Sequence, residues 1–184
     1  MSRPTLPGDV SLRRATPRDA GAISAIAIAC WRDTYVGHLP DDLLAGLESG
    51  PWHSAAAWRA VLASDDDATV TEIVEIEDEP AGFVRSGPVD APRGACRGII
   101  QSIYLLRDYR AKGLGSALID RARARLRDAV LTPVAIEAFV FNAPALALYR
   151  RLGARDIDRR TAFEHGGVVV EEIVLGWPEP PSGV

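Results

Sequence analysis

The chain has 184 residues, enough for one domain of ordinary size, and 47% of them are hydrophobic, as in a globular protein with a real core. The formal net charge is −4, so the basic excess typical of a nucleic-acid-binding protein is missing. No apolar stretch is long enough to span a membrane, and the N-terminal residues lack a signal-peptide pattern. Cys30 and Cys96 are far apart and form no metal-ligand pattern. These features predict a cytoplasmic protein with no nucleic-acid partner, no membrane partner and no metal.

The first part of the chain alternates between strand and helix patterns. Residues 1–9 are polar and proline-rich and predict a disordered tail, followed by a single domain over 10–177 and a second disordered tail over 178–184. "VSLRRAT" predicts a strand. The run after it predicts an amphipathic helix, with Thr16 as its N-cap and Pro17 at its first position. Further helices are predicted near Asp41 and in "SAAAWRAVLAS".

The middle of the chain predicts a β-hairpin and then a strand followed by a helix. "ATVTEIVEIE" and "FVRSGPV" flank the predicted turn "DEPAG", and "CRGIIQSIYLL" is the next strand. In "SALIDRARARLRDAV", apolar residues recur about once per helical turn. The arginines at 121, 123, 125 and 127 fall off this stripe. They predict a solvated helix surface, with phosphate binding as the alternative.

The last elements are the strand "PVAIEAFVF", the helix "NAPALALYRRLG", and a hairpin of "RDIDRRTAFE" and "VVVEEIVLGW" across "HGG". The β-α-β order in the middle and the hairpin at the end indicate an α/β or α+β sheet protein.

The stretch "YRAKGLGS", residues 109–116, places two glycines and two basic residues at the start of a helix. Unpaired N–H groups, the helix dipole and the missing Cβ atoms make such a turn a site for an anion. The nucleotide P-loop requires Gly-Lys-Ser/Thr, and the dinucleotide fingerprint requires a third glycine where Leu118 stands, so both fit poorly. On these residues alone, a pyrophosphate site and a tight turn that binds nothing both remain open.

Two motifs on the predicted elements resemble the GCN5-related N-acetyltransferases. "SIYLLRDYRAKGLGSALI" is similar to their acetyl-coenzyme A motif, a strand followed by Arg/Gln-x-x-Gly-x-Gly/Ala, here Arg110, Gly113 and Gly115. "AFVFNAPALALYRRLGA" is similar to their second motif, with Asn142 and Tyr149 in the expected order. The resemblance covers roughly Val10 to Trp177. It implies a mixed, mostly antiparallel central sheet of about seven strands flanked by helices.

The resemblance also implies acetyl-CoA as co-substrate and a set of residues that bind it. The backbone of Ile103, Tyr104 and Leu105 would pair with the pantetheine arm. The pyrophosphate would lie on the loop of Arg110, Ala111, Lys112, Gly113, Leu114, Gly115 and Ser116, and Asn142 would bond the cofactor. Tyr149 would lie near the thioester sulfur and act as the catalytic acid, with a packing role in the core as its alternative.

Amine acetylation also needs a base, because a free alkylamine has a pKa near ~10. Many members of the family carry a glutamate near the place of Ile99, which leaves the base unassigned here. The candidates for the base are a water chain and four acidic residues, Asp33, Glu72, Glu75 and Glu137. For each acidic residue the alternative is a solvated surface charge with no catalytic role.

Trp31, Tyr35 and His38 from the N-terminal region are the candidates for binding the acceptor, because aromatic side chains can surround an amine. Packing of Trp31 on the sheet is the alternative. The predicted function is therefore transfer of an acetyl group to a primary amine of a small molecule. A protein N-terminal or lysine acetyltransferase and a non-catalytic acyl-CoA sensor are the alternatives, and a homodimer stays open.

Overall fold

A computed structural model describes residues 10–178 of the chain. The predicted tail at 1–9, and residues 179–184 of the predicted C-terminal tail, lie outside them. The strands are β1 (Val10–Arg14), β2 (Val70–Ile76), β3 (Glu79–Pro88), β4 (Gly98–Leu105), β5 (Val134–Phe139), β6 (Arg155–His165) and β7 (Val168–Trp177). The helices are α1 (Ala20–Tyr35), α2 (Asp41–Ala45), α3 (Ala55–Ala63), α4 (Leu114–Asp128) and α5 (Ala143–Arg151).

The strands form one seven-stranded sheet in the order β1-β2-β3-β4-β5-β7-β6. Only β4 and β5 run parallel, and every other neighbouring pair is antiparallel. The predicted mixed, mostly antiparallel sheet of about seven strands flanked by helices is confirmed. None of the helices within residues 10–178 has the length and apolar character needed to cross a bilayer.

The sheet splits open between its two parallel strands. Pairing of β4 with β5 is confined to Gly98–Ile100 against Val134–Ile136, although β4 continues to Leu105. The register of β4 against β3 shifts at this point and passes over Gln101, as a β-bulge does. A bulge bends its strand and increases the local twist. The bend leaves one edge of β4, beyond Ile100, without a strand partner.

Helices cover both faces of the sheet. On one face, α4 and α5 place Leu118, Ile119 and Leu146 over the central strands. On the other face, α1 and α3 contribute a second cluster that includes Ile23 and Trp58. The two cores fix α1 and α4 on opposite sides of the open seam.

The sequence predicts the turn of the β2–β3 hairpin at residues 78–82, but β3 begins four residues before the predicted Phe83. Glu77 and Asp78 have φ angles of +53° and +65°. Two consecutive left-handed residues are the conformation of a type I′ hairpin turn, so β3 already begins at Glu79.

Of the four arginines of α4, Arg121 and Arg127 are exposed, whereas Arg123 and Arg125 are partly buried and less solvated than their pattern indicates. Arg121 pairs with Glu72 at 2.8 Å, and Arg125 donates to the Ser86 carbonyl at 2.5 Å. Arg123 stacks over the ring of Trp177 at 4.7 Å. These side chains therefore fasten α4 to the sheet, because long arginine stems can lie along apolar surface while the guanidinium finds a partner.

One buried histidine makes the stability of the fold depend on pH. His53 is 6% exposed, packs on Trp31 with ring centroids 4.4 Å apart, and has no hydrogen-bond partner on either ring nitrogen within residues 10–178. Burial lowers the pKa of His53 to about 4 from the ordinary 6.5. The folded state therefore binds the proton less readily than the unfolded state. We therefore expect the contribution of neutral His53 to the free energy of unfolding to be fully present well above pH 6.5 and to be lost as the pH falls toward 4, by about 3 kcal/mol in all.

We expect His53→Leu to remove this part of the pH dependence, because leucine fills a similar volume and cannot be protonated. The free energy of unfolding by urea, measured at pH 7 and pH 4.5 for both proteins, tests this. Wild type should lose about 2 kcal/mol more than the variant between the two pH values. Equal losses in the two proteins would contradict it.

Candidate functional site

A cavity of about 710 Å³ lies where β4 and β5 separate. Its walls come from α1, the end of β4, the loop before α4, the first turn of α4, and α5. The lining residues are Cys30, Asp33, Thr34, Tyr35, His38, Ile103, Tyr104, Leu105, Arg110, Ala111, Gly113, Gly115, Ser116, Phe141, Asn142, Pro144, Ala145, Leu148, Tyr149 and Arg151. Most of the residues predicted to bind cofactor or acceptor are therefore gathered around one space.

The start of α4 presents free backbone donors to this cavity. Gly113, the N-cap, has a φ of +86°, which favours glycine. The first backbone bond of the helix runs from the Ala117 N–H to the Gly113 carbonyl, so the N–H groups of residues 113–116 have no intrahelical partner. Ala111 also lies in the left-handed region, with a φ of +59°. The turn thus has the shape of an anion site.

Gly115 has no need to be glycine for internal packing. A Cβ added there would meet Leu148 at 3.5 Å and Leu105 at 3.7 Å, which are ordinary contact distances. Glycine in a helix costs roughly 0.5–1 kcal/mol relative to alanine. The Leu114 side chain packs in the core, so the role predicted for this residue falls to its backbone N–H. Lys112 does not line the cavity, and its ammonium lies 5.9 Å from the Tyr109 ring centre.

The open edge of β4 forms a second wall. Leu106 donates its N–H to Ala81 on the β3 side. Because successive peptide groups point to opposite edges of a strand, the N–H of Leu105 points to the open side. The carbonyl of Leu105 accepts from Arg110 Nε at 2.8 Å and from Cys30 Sγ at 3.2 Å.

Tyr149 lies at the inner end of the cavity. It is 5% exposed, and burial, with a smaller contribution from Tyr35, raises the pKa of its hydroxyl well above the ordinary value. No group within residues 10–178 hydrogen-bonds this hydroxyl. Asn142, in contrast, caps α5 by accepting from the Ala145 N–H at 3.3 Å and donates to the Tyr35 hydroxyl at 3.3 Å. Its amide therefore already has partners within the protein.

Of the three predicted acceptor residues, two line the cavity. Tyr35 is buried, which raises its pKa to about 12, and the ring of His38 stacks on Phe141 at 4.8 Å. Trp31 lies behind the wall, because its Nε1 donates to the Tyr104 hydroxyl at 2.9 Å and its indole packs in the aromatic cluster under α1. A direct contact of Trp31 with an acceptor does not fit this position.

A smaller cavity of about 80 Å³ opens on the other side of the seam. It shares Tyr35, Ile103, Tyr104, Asn142 and Tyr149 with the large cavity and adds Ile100, Gln101, Ser102, Ile136, Glu137 and Ala138. Tyr149 thus stands between a large space at the α4 loop and a small polar space at β5.

The four acidic residues proposed from sequence as a base are in different places. Glu72 and Glu75 lie on β2 and pair with Arg121 and Arg13, away from both cavities. Asp33 lines the large cavity, but its two oxygens pair with Arg107 at 2.9 Å and Arg110 at 2.5 Å.

Glu137 differs from the other three. Arg93 and Arg160 both bond its Oε1, the latter at 2.7 Å, so that Oε2 has no hydrogen-bond partner among residues 10–178. Glu172 on β7 completes this group by accepting from Arg160 at 2.8 Å. Burial, followed by the charge of Glu137, raises the pKa of Glu172. Among the candidates, Glu137 alone combines a free carboxylate oxygen with a place beside Tyr149.

Arg151, Phe141, Cys30 and Thr34 line the large cavity although no sequence pattern singled them out. Arg151 has no ion pair within the described residues, and it is the second of two arginines at the end of α5. Its spacing from Tyr149 gave no signal, since residues two apart on a helix face different directions.

Comparison with known proteins agrees with this geometry. The model of the acetyltransferase (GNAT) family matches residues 26–154. An aminoglycoside N(6′)-acetyltransferase type 1 of Stenotrophomonas maltophilia is 25% identical over 153 residues, 83% of this chain and 91% of the relative. An N-alpha-acetyltransferase, MAK3, of Arabidopsis thaliana is 33% identical over 88 residues, 48% of this chain and 46% of the relative.

Among solved structures, the PaiA N-acetyltransferase of Thermoplasma acidophilum in complex with coenzyme A superposes with a TM-score of 0.71 at 14% identity, over 89% of this chain and 98% of that one. The open strand edge and the free N–H groups fit the same type of ligand. Fold, motif positions and the family match thus lead to one conclusion: the chain belongs to the GNAT acetyltransferase family and is an acyltransferase that uses acetyl-CoA.

Proposed function

We propose that the protein transfers the acetyl group of acetyl-CoA to a primary amine of a small molecule, by direct attack while both substrates are bound. The observation that carries this proposal is that the large and small cavities meet at Tyr149. The large one has the shape and the backbone donors for a long anionic thioester, and Glu137, whose Oε2 has no hydrogen-bond partner among the described residues, lines the small one. Acetyl-CoA supplies the activated acetyl group as a thioester.

The chain's own groups bind and orient the donor. The edge of β4 from Ile103 to Leu105 pairs with its amide arm, as an added strand does. The N–H groups at the start of α4 hold its pyrophosphate, and Arg151 supplies a free positive charge nearby. The N–H of Leu105 points to the open side and donates to the carbonyl oxygen as it becomes an oxyanion.

The two glycines of the loop should respond oppositely to alanine. Gly113→Ala strains a residue whose φ is +86°, so we expect a loss of about 1 kcal/mol in stability and roughly a tenfold higher KM for acetyl-CoA. Gly115→Ala should gain up to about 1 kcal/mol, since the added Cβ makes only ordinary contacts, with a KM within about twofold of wild type. Thermal unfolding and steady-state kinetics measure both. A KM for the amine that rises as much as that for acetyl-CoA would contradict the assignment.

Glu137 and Tyr149 carry the proton transfers. The free Oε2 of Glu137 binds the ammonium group of the acceptor and takes its proton, directly or through one water. Tyr149, kept protonated by its raised pKa, donates to the sulfur of the leaving thiolate. Each proton-transfer group then lies on its own side of the reacting carbonyl.

We infer a small acceptor and not a polypeptide from the packing next to the cavity, where the segment that follows His38 contacts the last hairpin. The segment after α1 and the tip of the β6–β7 hairpin meet there, and His165 Nε2 lies 2.9 Å from the Asp42 carboxylate. Beneath this contact, Leu39, Leu44 and Leu47 pack with Val170 in one buried cluster. An extended peptide would have to separate these elements. The relative named for aminoglycosides supports a small acceptor, and the one named as an N-alpha-acetyltransferase supports a protein acceptor.

The release of free thiol from acetyl-CoA, measured with a panel of acceptors, tests the proposal. The panel contains spermidine, aminoglycosides, amino acids and N-terminal peptides. We expect at least one small amine to give kcat/KM at least a hundredfold above every peptide. A preference for peptides would refute the small-molecule acceptor and establish the protein acetyltransferase. The cytoplasmic location and the homodimer inferred from sequence stay predictions.

A further inference from the structure

Helix α1 is attached to the donor loop by one acidic residue. Asp33 uses both carboxylate oxygens, Oδ1 for Arg107 at 2.9 Å and Oδ2 for Arg110 at 2.5 Å. Arg110 in turn donates its Nε to the Leu105 carbonyl at 2.8 Å, and the Cys30 thiol reaches the same carbonyl at 3.2 Å. Cys30 and Asp33 are three residues apart, so they lie on one face of the helix. This face meets the end of β4 and the residues that lead into α4.

Electrostatics alone does not account for a carboxylate at this place. Asp33 lines the cavity proposed for a polyanionic donor, and it occupies the guanidinium of Arg110, which lines the same cavity. A site selected only for attraction of phosphate would lack it. What the carboxylate adds is geometry, because its charge-assisted bond to Arg110, whose Nε also bonds the Leu105 carbonyl, holds the loop in one arrangement.

The same helix also carries part of the acceptor wall. Trp31 donates to the Tyr104 hydroxyl at 2.9 Å, and Tyr35 accepts from Asn142 at 3.3 Å. One rigid element of sixteen residues is thus bonded to the donor loop through Asp33 and to the proposed amine side through Trp31 and Tyr35.

We propose that Asp33 is a positioning residue that holds the loop from Leu105 to Arg110 ready for the donor and, through α1, couples donor binding to acceptor binding. The proposal rests on the proposed function for its acceptor half. Donor binding then stabilises α1 in the position that places Tyr35 at the amine, and by linkage a bound amine raises the affinity for the donor by the same factor.

Asp33→Asn keeps the size of the side chain and removes its charge. We expect the Kd for coenzyme A, measured by calorimetry, to rise roughly tenfold. In wild type we expect saturating donor to lower the KM for the amine, and this effect should largely disappear in the variant. The kcat at saturation of both substrates should stay within about threefold of wild type. Asp33→Glu should restore part of the affinity. The unfolding temperature of the ligand-free Asp33→Asn variant should equal that of wild type, which would show that the weaker binding does not come from general destabilisation.

Arg107→Gln is the matched control. Its side chain is 81% exposed, so it should change the Kd by less than about twofold, because exposed ion pairs contribute little. Tighter binding of coenzyme A by Asp33→Asn would show that the carboxylate only repels the donor and would overturn the proposal. An unchanged Kd, or equal effects of the two variants, would overturn it as well. Because the calorimetric measurement uses no acceptor, it tests the role of Asp33 even if the amine panel contradicts the proposed function.

Discussion

Glu137→Gln should lower kcat/KM for the amine by roughly 10²–10³-fold at pH 7, which is the usual contribution of a positioned general base. The amide keeps the size of the side chain and can still accept from Arg93 and Arg160, so the arrangement of the β5 side should survive. The KM for acetyl-CoA should change by less than about twofold, because Glu137 does not line the large cavity. Steady-state kinetics with each substrate varied at saturation of the other makes the measurement.

Glu172→Gln is the matched control for this variant. Glu172 belongs to the same ionic group and is about as buried, with side-chain exposures of 12% against 19% for Glu137, but it lines neither cavity. We expect Glu172→Gln to lower kcat/KM for the amine by less than about threefold. If the two variants lost equal activity, the ionic group would be structural. Full activity of Glu137→Gln at pH 7 would show that water or another residue is the base.

Tyr149→Phe should lower kcat by roughly 10²-fold with little change in either KM, because the hydroxyl acts on the leaving thiolate and not on binding. Burial keeps the pKa of Tyr149 far above neutrality, so the hydroxyl stays protonated and the loss should be constant from pH 6 to 9. A pH titration of kcat for wild type and variant measures it.

The leaving group offers an independent check on Tyr149. An acetyl thioester of a more acidic thiol needs less protonation of its leaving group. The decrease in kcat caused by Tyr149→Phe should therefore be smaller with that thioester than with acetyl-CoA. An equal decrease in kcat with both thioesters would mean that the hydroxyl does not act on the leaving thiolate. An unchanged kcat in the variant would show that Tyr149 is not the general acid.

Local patterns predicted most of the fold, because the signals involved span only a few residues. Thr16 and Asp19 form a capping box on a 3-10 turn, Pro17–Asp19, that leads directly into α1. Ser54 caps α3 and Asn142 caps α5, as their place before an apolar helical run indicates. The strands of the final hairpin follow their β-branched pattern on either side of a glycine pair. The α/β class and the sheet of about seven strands are confirmed for the same reason.

What sequence alone did not resolve depends on contacts between distant residues. Glu137 stands out from Asp33, Glu72 and Glu75 only through the arginines bound to it, which are 44 and 23 residues away in the chain. The position of Trp31 behind the cavity wall depends on Tyr104, 73 residues further on. Neither pairing leaves a trace at fixed spacing, so both needed the three-dimensional structure.

The three-residue pairing of β4 with β5 makes the sheet a hinge. Strands β1 to β4 form one continuous plate, and β5, β7 and β6 form another. The two plates touch along Gly98–Ile100, where Ile99 packs with Ala135 and Val174. We expect a small rotation about this line to widen the cleft at its far end without breaking a hydrogen bond inside either plate. Substrates that bridge the plates would then hold them at one angle, so the packing of Ile99, Ala135 and Val174 at the closed end would contribute to the distance between donor and acceptor, well away from the reacting atoms.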